Sequence, residues 1–190
     1  MLISKLYEFE SAHIVRDCSS TRCSTSLHGH SYKVEVQLTS NGLDNAFMVY
    51  DFGLLKPIKT FIDSFDHGIC LKSDDDINYI NDMKKHSARW IELPCNPSAE
   101  GFCVIFFICI DKILKNTKMI NNENGVRLHS VKVNETRTGY AQCFYDDAFL
   151  NHKAIFDIND IVFSEQVELE NGGFLKKLQT NEIFINPKSV

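Results

Sequence analysis

The stretch His28-Gly29-His30-Ser31-Tyr32-Lys33-Val34-Glu35-Val36-Gln37-Leu38-Thr39 decides how this chain is read. Its even positions are imidazole or apolar: His28, His30, Tyr32, Val34, Val36 and Leu38. Its odd positions are Gly29, Ser31, Lys33, Glu35, Gln37 and Thr39. A period of two with one apolar face marks a half-buried antiparallel strand. Both histidines fall on the apolar parity, so their rings project to the same side.

On the N-terminal side, residues 2–13 alternate more weakly, with Tyr7, Phe9, Ser11 and His13 on one parity. They predict a partner strand. Residues 14–27 are mostly small and polar, carry Cys18 and Cys23, and read as a loop. On the C-terminal side, residues 40–46 predict a turn and Met48 to Phe52 a short strand-like piece. Leu54, Leu55, Ile58, Phe61, Ile62 and Phe65 then recur at helical spacing. Pro57 lies in the first turn of that helix or kinks it. Residues 72–95 are polar and mixed, include the acidic run Asp74 to Asp76, and predict an inserted lobe with some helix near Ser87 to Ile91.

Asn96-Pro97-Ser98-Ala99-Glu100 has the composition of a helix start. The apolar run Phe102 to Leu114 that follows predicts the core helix, too short to span a bilayer. Arg127 to Thr136 and Tyr140 to Tyr145 read as a hairpin around Arg137-Thr138-Gly139. The order strand, strand, helix, helix, strand, strand predicts an α+β fold. Residues 1–149 read as one domain, with residues 150–190 a C-terminal extension of no assigned role.

Composition bounds the function. A chain of 190 residues suits one domain. With 44% hydrophobic and 24% charged residues it is an ordinary globular chain, which excludes wholesale disorder. A net charge of −5 gives no basic surplus, so the sequence argues against a dedicated nucleic-acid binder. No apolar run suits a membrane span, and the N-terminus predicts no secretory signal. The seven cysteines therefore read as thiols or metal ligands in a reducing, cytoplasmic setting.

Four groups of residues could carry chemistry. His13 completes a set with His28 and His30 if the first two strands pair. Three imidazoles that leave a fourth position open suit a catalytic zinc; the alternative is a His-Gly-His that only bonds backbone at a strand end. Cys23, five residues before His28, would have a lowered pKa beside a dication and could act as base or nucleophile. Cys18 competes for that role, and Cys23 could instead be a fourth ligand closing a structural site. Cys70, Cys103 and Cys109 sit in apolar contexts and read as inert buried thiols. Asp66-His67 follows the first helix. The acid can fix the imidazole tautomer for proton transfer; the alternative is a His67 that meets a helix C-terminal dipole. Glu135 shares the apolar parity of its strand and needs a partner there. It could accept two parallel donors from a guanidine-like ring edge, or form a salt bridge with a residue such as Arg137.

Taken together these motifs resemble the 6-pyruvoyltetrahydropterin synthase and 6-carboxytetrahydropterin synthase family. The resemblance is carried by residues 9–13, Leu27 to Tyr32, Met48 to Gly53, Phe65-Asp66-His67, Asn96 to Glu100 and Val133 to Thr136, in family order. It implies the tunnelling fold: a four-stranded antiparallel sheet with two helices on one face, subunits joining into a ring, trimeric or hexameric, with active sites between subunits. It implies His13, His28 and His30 as zinc ligands, Cys23 as catalytic cysteine, Asp66 and His67 as a proton-relay pair, and Glu135 as both pterin anchor and part of the relay. The implied substrate is 7,8-dihydroneopterin triphosphate. The Leu27-His28-Gly29-His30 form resembles the branch that releases acetaldehyde and 6-carboxytetrahydropterin for queuosine synthesis. The pyruvoyl branch, which eliminates triphosphate without cutting the side chain, is the alternative, and a non-catalytic zinc- or pterin-binding module a lesser one. The spacing of Cys23 to His28 departs from that usual in either branch.

Overall fold

The first two strands pair along their whole length, from Leu2 opposite Thr39 to His13 opposite His28. This computed structural model describes residues 1–185; the last five residues of the C-terminal extension lie outside the described residues. One sheet is built from β1 (Leu2–His13), β2 (His28–Thr39), β3 (Gly68–Lys72), β4 (Trp90–Leu93), β5 (Arg127–Asn134), β6 (Tyr140–Cys143) and β7 (Val162–Phe163). Its order is β7-β4-β3-β1-β2-β5-β6. The antiparallel run β1-β2-β5-β6 is the expected four-stranded unit. Beyond β1 the sheet continues with β3 and β4, both parallel to their neighbours, and ends on antiparallel β7.

Alternation along β2 works as the sequence predicts. Tyr32, Val34, Val36 and Leu38 are fully buried, whereas Lys33 is exposed. On the polar face Glu35 is tied to Ser4, Gln37 and Lys132, and Gln37 to Ser130.

Five helices matter here: α1 (Thr21–Thr25), α2 (Lys56–Asp63), α3 (Ile77–His86), α4 (Ala99–Lys115) and α5 (Glu165–Glu170). The long α4 covers the apolar sheet face. Its Ser98 cap accepts from the Gly101 N–H, and Phe102, Phe106 and Phe107 are wholly buried. The Phe9 ring stacks on Tyr32 at 4.8 Å and meets Phe102 and Phe106 edge-on at 5.7 Å. Each such ring contributes about 1.5–3 kcal/mol by leaving water. Pro57 lies in the first turn of α2, where its missing N–H costs nothing.

Four expectations are corrected. Met48 to Phe52 is not strand: the Asp44 carboxylate accepts from the N–H groups of Ala46 and Met48, which turns the chain. The helix within residues 72–95 is α3, ahead of the expected position, because Asp76 caps it by accepting from Asn78 and Tyr79. Trp90 to Leu93 is strand β4, not helix. Residues 14–27 hold the short helix α1 within the expected loop. From the C-terminal extension, Phe163, Val167, Leu175 and Leu178 join the main core. Among the described residues no helix is long and apolar enough to cross a membrane.

Candidate metal centre and active site

The β1–β2 register sets His13 against His28, and the pleat puts His30 on the same side. One ring nitrogen from each of the three lies within 4.8 Å of the others. The Nε2 atoms of His13 and His28 are 3.2 Å apart. Two nitrogens on one tetrahedral zinc, each at about 2.0–2.1 Å, stand about 3.3 Å apart, which the His13–His28 pair matches. The remaining nitrogens are held from outside. His13 Nδ1–H donates to the Pro97 carbonyl, and His28 Nδ1–H to the Ser26 carbonyl at 2.8 Å. Both bonds leave Nε2 with its lone pair toward the shared point. Burial lowers the His13 pKa from 6.5 to about 4, so its ring is neutral near pH 7 and available to a cation.

Glu135 follows directly on β5. Its Oε1 lies 3.7 Å from His13 Nε2 and 3.9 Å from His30 Nε2, so the carboxylate faces the imidazoles. The Tyr32 hydroxyl sits 3.2 Å from His13 Nδ1. Burial, with Glu135 close by, raises its pKa and keeps it protonated.

A cavity of about 590 Å³ opens beside these groups, lined by Cys18, Arg22, Cys23, His28, His30 and Glu135 among others. Cys23 reaches it from α1. Cys18 and Cys23 are half-buried. The other thiols are disqualified by burial: it raises Cys95 to about 11, raises Cys70, Cys103 and Cys143 to about 12, and pushes Cys109 up further still. A thiol that stays protonated is a poor nucleophile and a poor base. Cys18 donates to the Ser20 carbonyl at 3.3 Å. Both loop thiols share the cavity.

Asp66 and His67 form a pair, with His67 Nδ1 2.8 Å from Asp66 Oδ2. The pair is pinned to β1: the Glu10 N–H donates to Asp66 Oδ1 at 2.7 Å, and the His67 N–H donates to the Glu10 carbonyl at 2.7 Å. His67 adopts φ of 54°, a left-handed backbone held by that bond. Partial burial pushes the Asp66 carboxyl up. The bonds from Glu10 and His67 outweigh it and leave the pKa lowered. The pair does not share the cavity of Cys23 and Glu135. His67, largely exposed, opens into a second cavity of about 390 Å³ with Glu10, Gly29 and Ile69. His30 lines both.

Sequence reasoning missed Tyr32, Ser26 and Pro97 as supports of the site. Tyr32 had a visible signal, a polar tip on the parity of the histidines. The two carbonyls had none, because any residue supplies one.

The geometry gathers three imidazoles on a mostly antiparallel sheet. The family profile described as 6-pyruvoyl tetrahydropterin synthase matches residues 2–157. The chain belongs to that family. Within it, this chain is 38% identical over 170 residues to a Helicobacter pylori (strain J99) protein named 6-carboxy-5,6,7,8-tetrahydropterin synthase, covering 88% of this chain and 85% of the relative. An Aquifex aeolicus protein of the same name is 27% identical over 158 residues, 74% of this chain and 95% of its own. Among solved structures, an uncharacterized Wolinella succinogenes protein superposes with a TM-score of 0.62 at 21% identity, over 76% of this chain and 98% of its own. Plasmodium falciparum 6-pyruvoyl tetrahydropterin synthase does so with 0.54 at 18% identity, over 75% and 96%. These two likenesses establish the shared fold.

Proposed function

We propose that this protein is a zinc-dependent carbon–carbon lyase. It converts 7,8-dihydroneopterin triphosphate and one water to 6-carboxy-5,6,7,8-tetrahydropterin, acetaldehyde and triphosphate, the reaction that serves queuosine (7-deazaguanine) biosynthesis. The observation that carries the reading is one cavity lined by two imidazoles of the candidate metal group, the Glu135 carboxylate and half-exposed thiols. The curated relatives' shared name, 6-carboxy-5,6,7,8-tetrahydropterin synthase, favours this product over the pyruvoyl one.

His13, His28 and His30 would hold the zinc, which when bound supplies a Lewis acid for the hydroxylated side chain of the substrate. Glu135 accepts the two parallel N–H donors of the pterin edge, which fixes the ring in register. Cys23, which lines the cavity from α1, accepts a proton from the side chain. Asp66 holds His67 by its Nδ1–H and leaves Nε2 free to carry a second proton. Because His67 opens into a separate cavity, the reading includes a homo-oligomeric ring in which Asp66 and His67 serve a site shared between subunits.

Product analysis tests this. Zinc-loaded protein is incubated with 7,8-dihydroneopterin triphosphate and acetaldehyde is trapped in parallel. Acetaldehyde together with a carboxytetrahydropterin mass supports the reading. Triphosphate release without acetaldehyde moves the protein to the pyruvoyl branch. No turnover by an intact zinc-bound oligomer makes it a binding module.

A further inference from the structure

The short helix that carries Cys23 buries none of its own residues. With so little burial, polar ties carry much of its positioning. Two run from the chain just past the metal ligand His13. The Val15 N–H donates to the Cys23 carbonyl at 3.1 Å. Arg16 donates from a terminal guanidinium nitrogen to the Ser24 carbonyl at 3.1 Å.

Arg16 is itself fixed from the opposite side, by the inserted segment. Its Nε donates to Asp75 Oδ2 at 2.7 Å, and its guanidinium carbon lies 4.8 Å from the centre of the Tyr79 ring at the start of α3. Its backbone is clamped as well. The Asn96 side chain accepts from the Arg16 N–H at 3.0 Å and donates to the Arg16 carbonyl at 2.8 Å. The Asp75 side chain is only 9% exposed and that of Arg16 27%, so the pair is weakly screened. A planar guanidinium can bond two acceptors and lie on a ring at once, which a lysine ammonium cannot reproduce.

We infer that Arg16 is a positioning residue for the Cys23 loop, and that residues Asp75 and Tyr79 of the 72–95 segment are its anchor. The segment thus has a task in the site without lining it: it holds the guanidinium that holds the Ser24 carbonyl, one residue from the thiol. This inference rests on Cys23 being the working thiol of the proposed reaction. It also gives the unusual Cys23–His28 spacing a physical counterpart, since this clamp ties the loop in place.

The test uses zinc-loaded full-length protein and the variants Asp75→Ala, Asp75→Asn, Tyr79→Ala and Tyr79→Phe. Amide hydrogen exchange is followed over residues 14–27, alongside zinc content, kcat and KM for 7,8-dihydroneopterin triphosphate. Asp75→Ala and Tyr79→Ala are expected to speed exchange in that loop about tenfold or more while the β1–β2 pairing stays protected. They should lower kcat by about tenfold or more, with KM within about twofold and zinc content unchanged. Tyr79→Phe keeps the stacked ring and should behave as wild type; the Tyr79 hydroxyl is buried with no hydrogen-bond partner, so its loss removes nothing the clamp uses. Asp75→Asn retains the shape and covers the case in which Asp75→Ala folds poorly. Unchanged loop exchange in Asp75→Asn and Tyr79→Ala overturns the inference, as does faster exchange with undiminished kcat. If wild type itself gives no turnover, the proposed reaction fails, while the exchange comparison still decides whether the clamp exists.

Discussion

The Glu135 Oε1 atom lies 3.7 Å from His13 Nε2, so the end of β5 delivers a carboxylate to imidazoles that β1 and β2 have gathered. Three strands thus meet at one point, and the two functions of that point can be separated. Glu135→Ala is expected to lower turnover by about a hundredfold or more, the size of a lost acid–base or anchoring group. Zinc content should stay near one per site, because the imidazoles alone fit the ion. Metal analysis beside kinetics checks this; zinc lost in step with activity would mean that the carboxylate serves the metal and not the substrate.

On the proposed reading, removing zinc should silence turnover without unfolding the protein. The ligands stand on β1 and β2, which pair along their full length and bury an aromatic core of Phe9, Tyr32 and Phe102. After chelation, far-UV circular dichroism is expected to persist while turnover vanishes. Zinc at about 100 times its Kd should then add roughly 2.7 kcal/mol of stability. His28→Ala should abolish zinc binding. Collapse of the fold on chelation would instead favour a closed structural site.

Glu35 makes stability depend on pH. Lys132 at 2.6 Å, with Ser4 and Gln37, holds its pKa down from 4.5 to about 2. A carboxyl whose folded pKa is depressed stabilises the fold above its unfolded value and loses that contribution as pH falls from about 4.5 toward 2. Glu35→Gln should therefore cost roughly 1–2 kcal/mol at pH 7 after allowance for solvent screening. The gap to wild type should close as the pH approaches 2. Urea unfolding at pH 7 and pH 3 measures it; a gap that is the same at both would refute the role of the Glu35 charge.

Much of this is legible in the sequence alone. The alternation of Tyr32, Val34, Val36 and Leu38 marks β2 because half-burial imposes a period of two. His13, His28 and His30 could be grouped because strand pairing is local and antiparallel. What stayed hidden depends on contacts distant in sequence. Strands β3 and β4 are four or five residues long, and parallel pairing leaves no turn between them to read. The run Asp74 to Asp76 looks like solvated loop, yet Asp76 caps α3 and Asp75 meets Arg16. A carboxylate's partner cannot be read from its own neighbours. Nor could spacing tell that Asp66 and His67 would face a different cavity from Cys23, since that depends on how β1 sits between β2 and β3.

Gly101 links the core helix to the candidate metal site. It lies in the first turn of α4, where its N–H donates to Ser98 Oγ at 3.1 Å. A Cβ there would sit 2.2 Å from the Asn96 carbonyl oxygen, a backbone atom that cannot swing aside. Alanine is the better helix former by about 1 kcal/mol, so without that contact Gly101→Ala would stabilise α4. The clash outweighs this gain, because the Asn96–Pro97 backbone is held on its far side: the Asn96 side chain bonds Arg16, and the Pro97 carbonyl accepts from His13 Nδ1. Pushing that backbone away removes the bond that orients His13. Gly101→Ala is expected to weaken zinc binding about 10- to 100-fold, the usual effect of losing such a support, and to lower the Tm. Competition with a chromophoric chelator reads the affinity directly. An unchanged zinc affinity would show that the His13 ring is oriented by the β1–β2 pairing alone and that its bond to Pro97 contributes nothing to the metal centre.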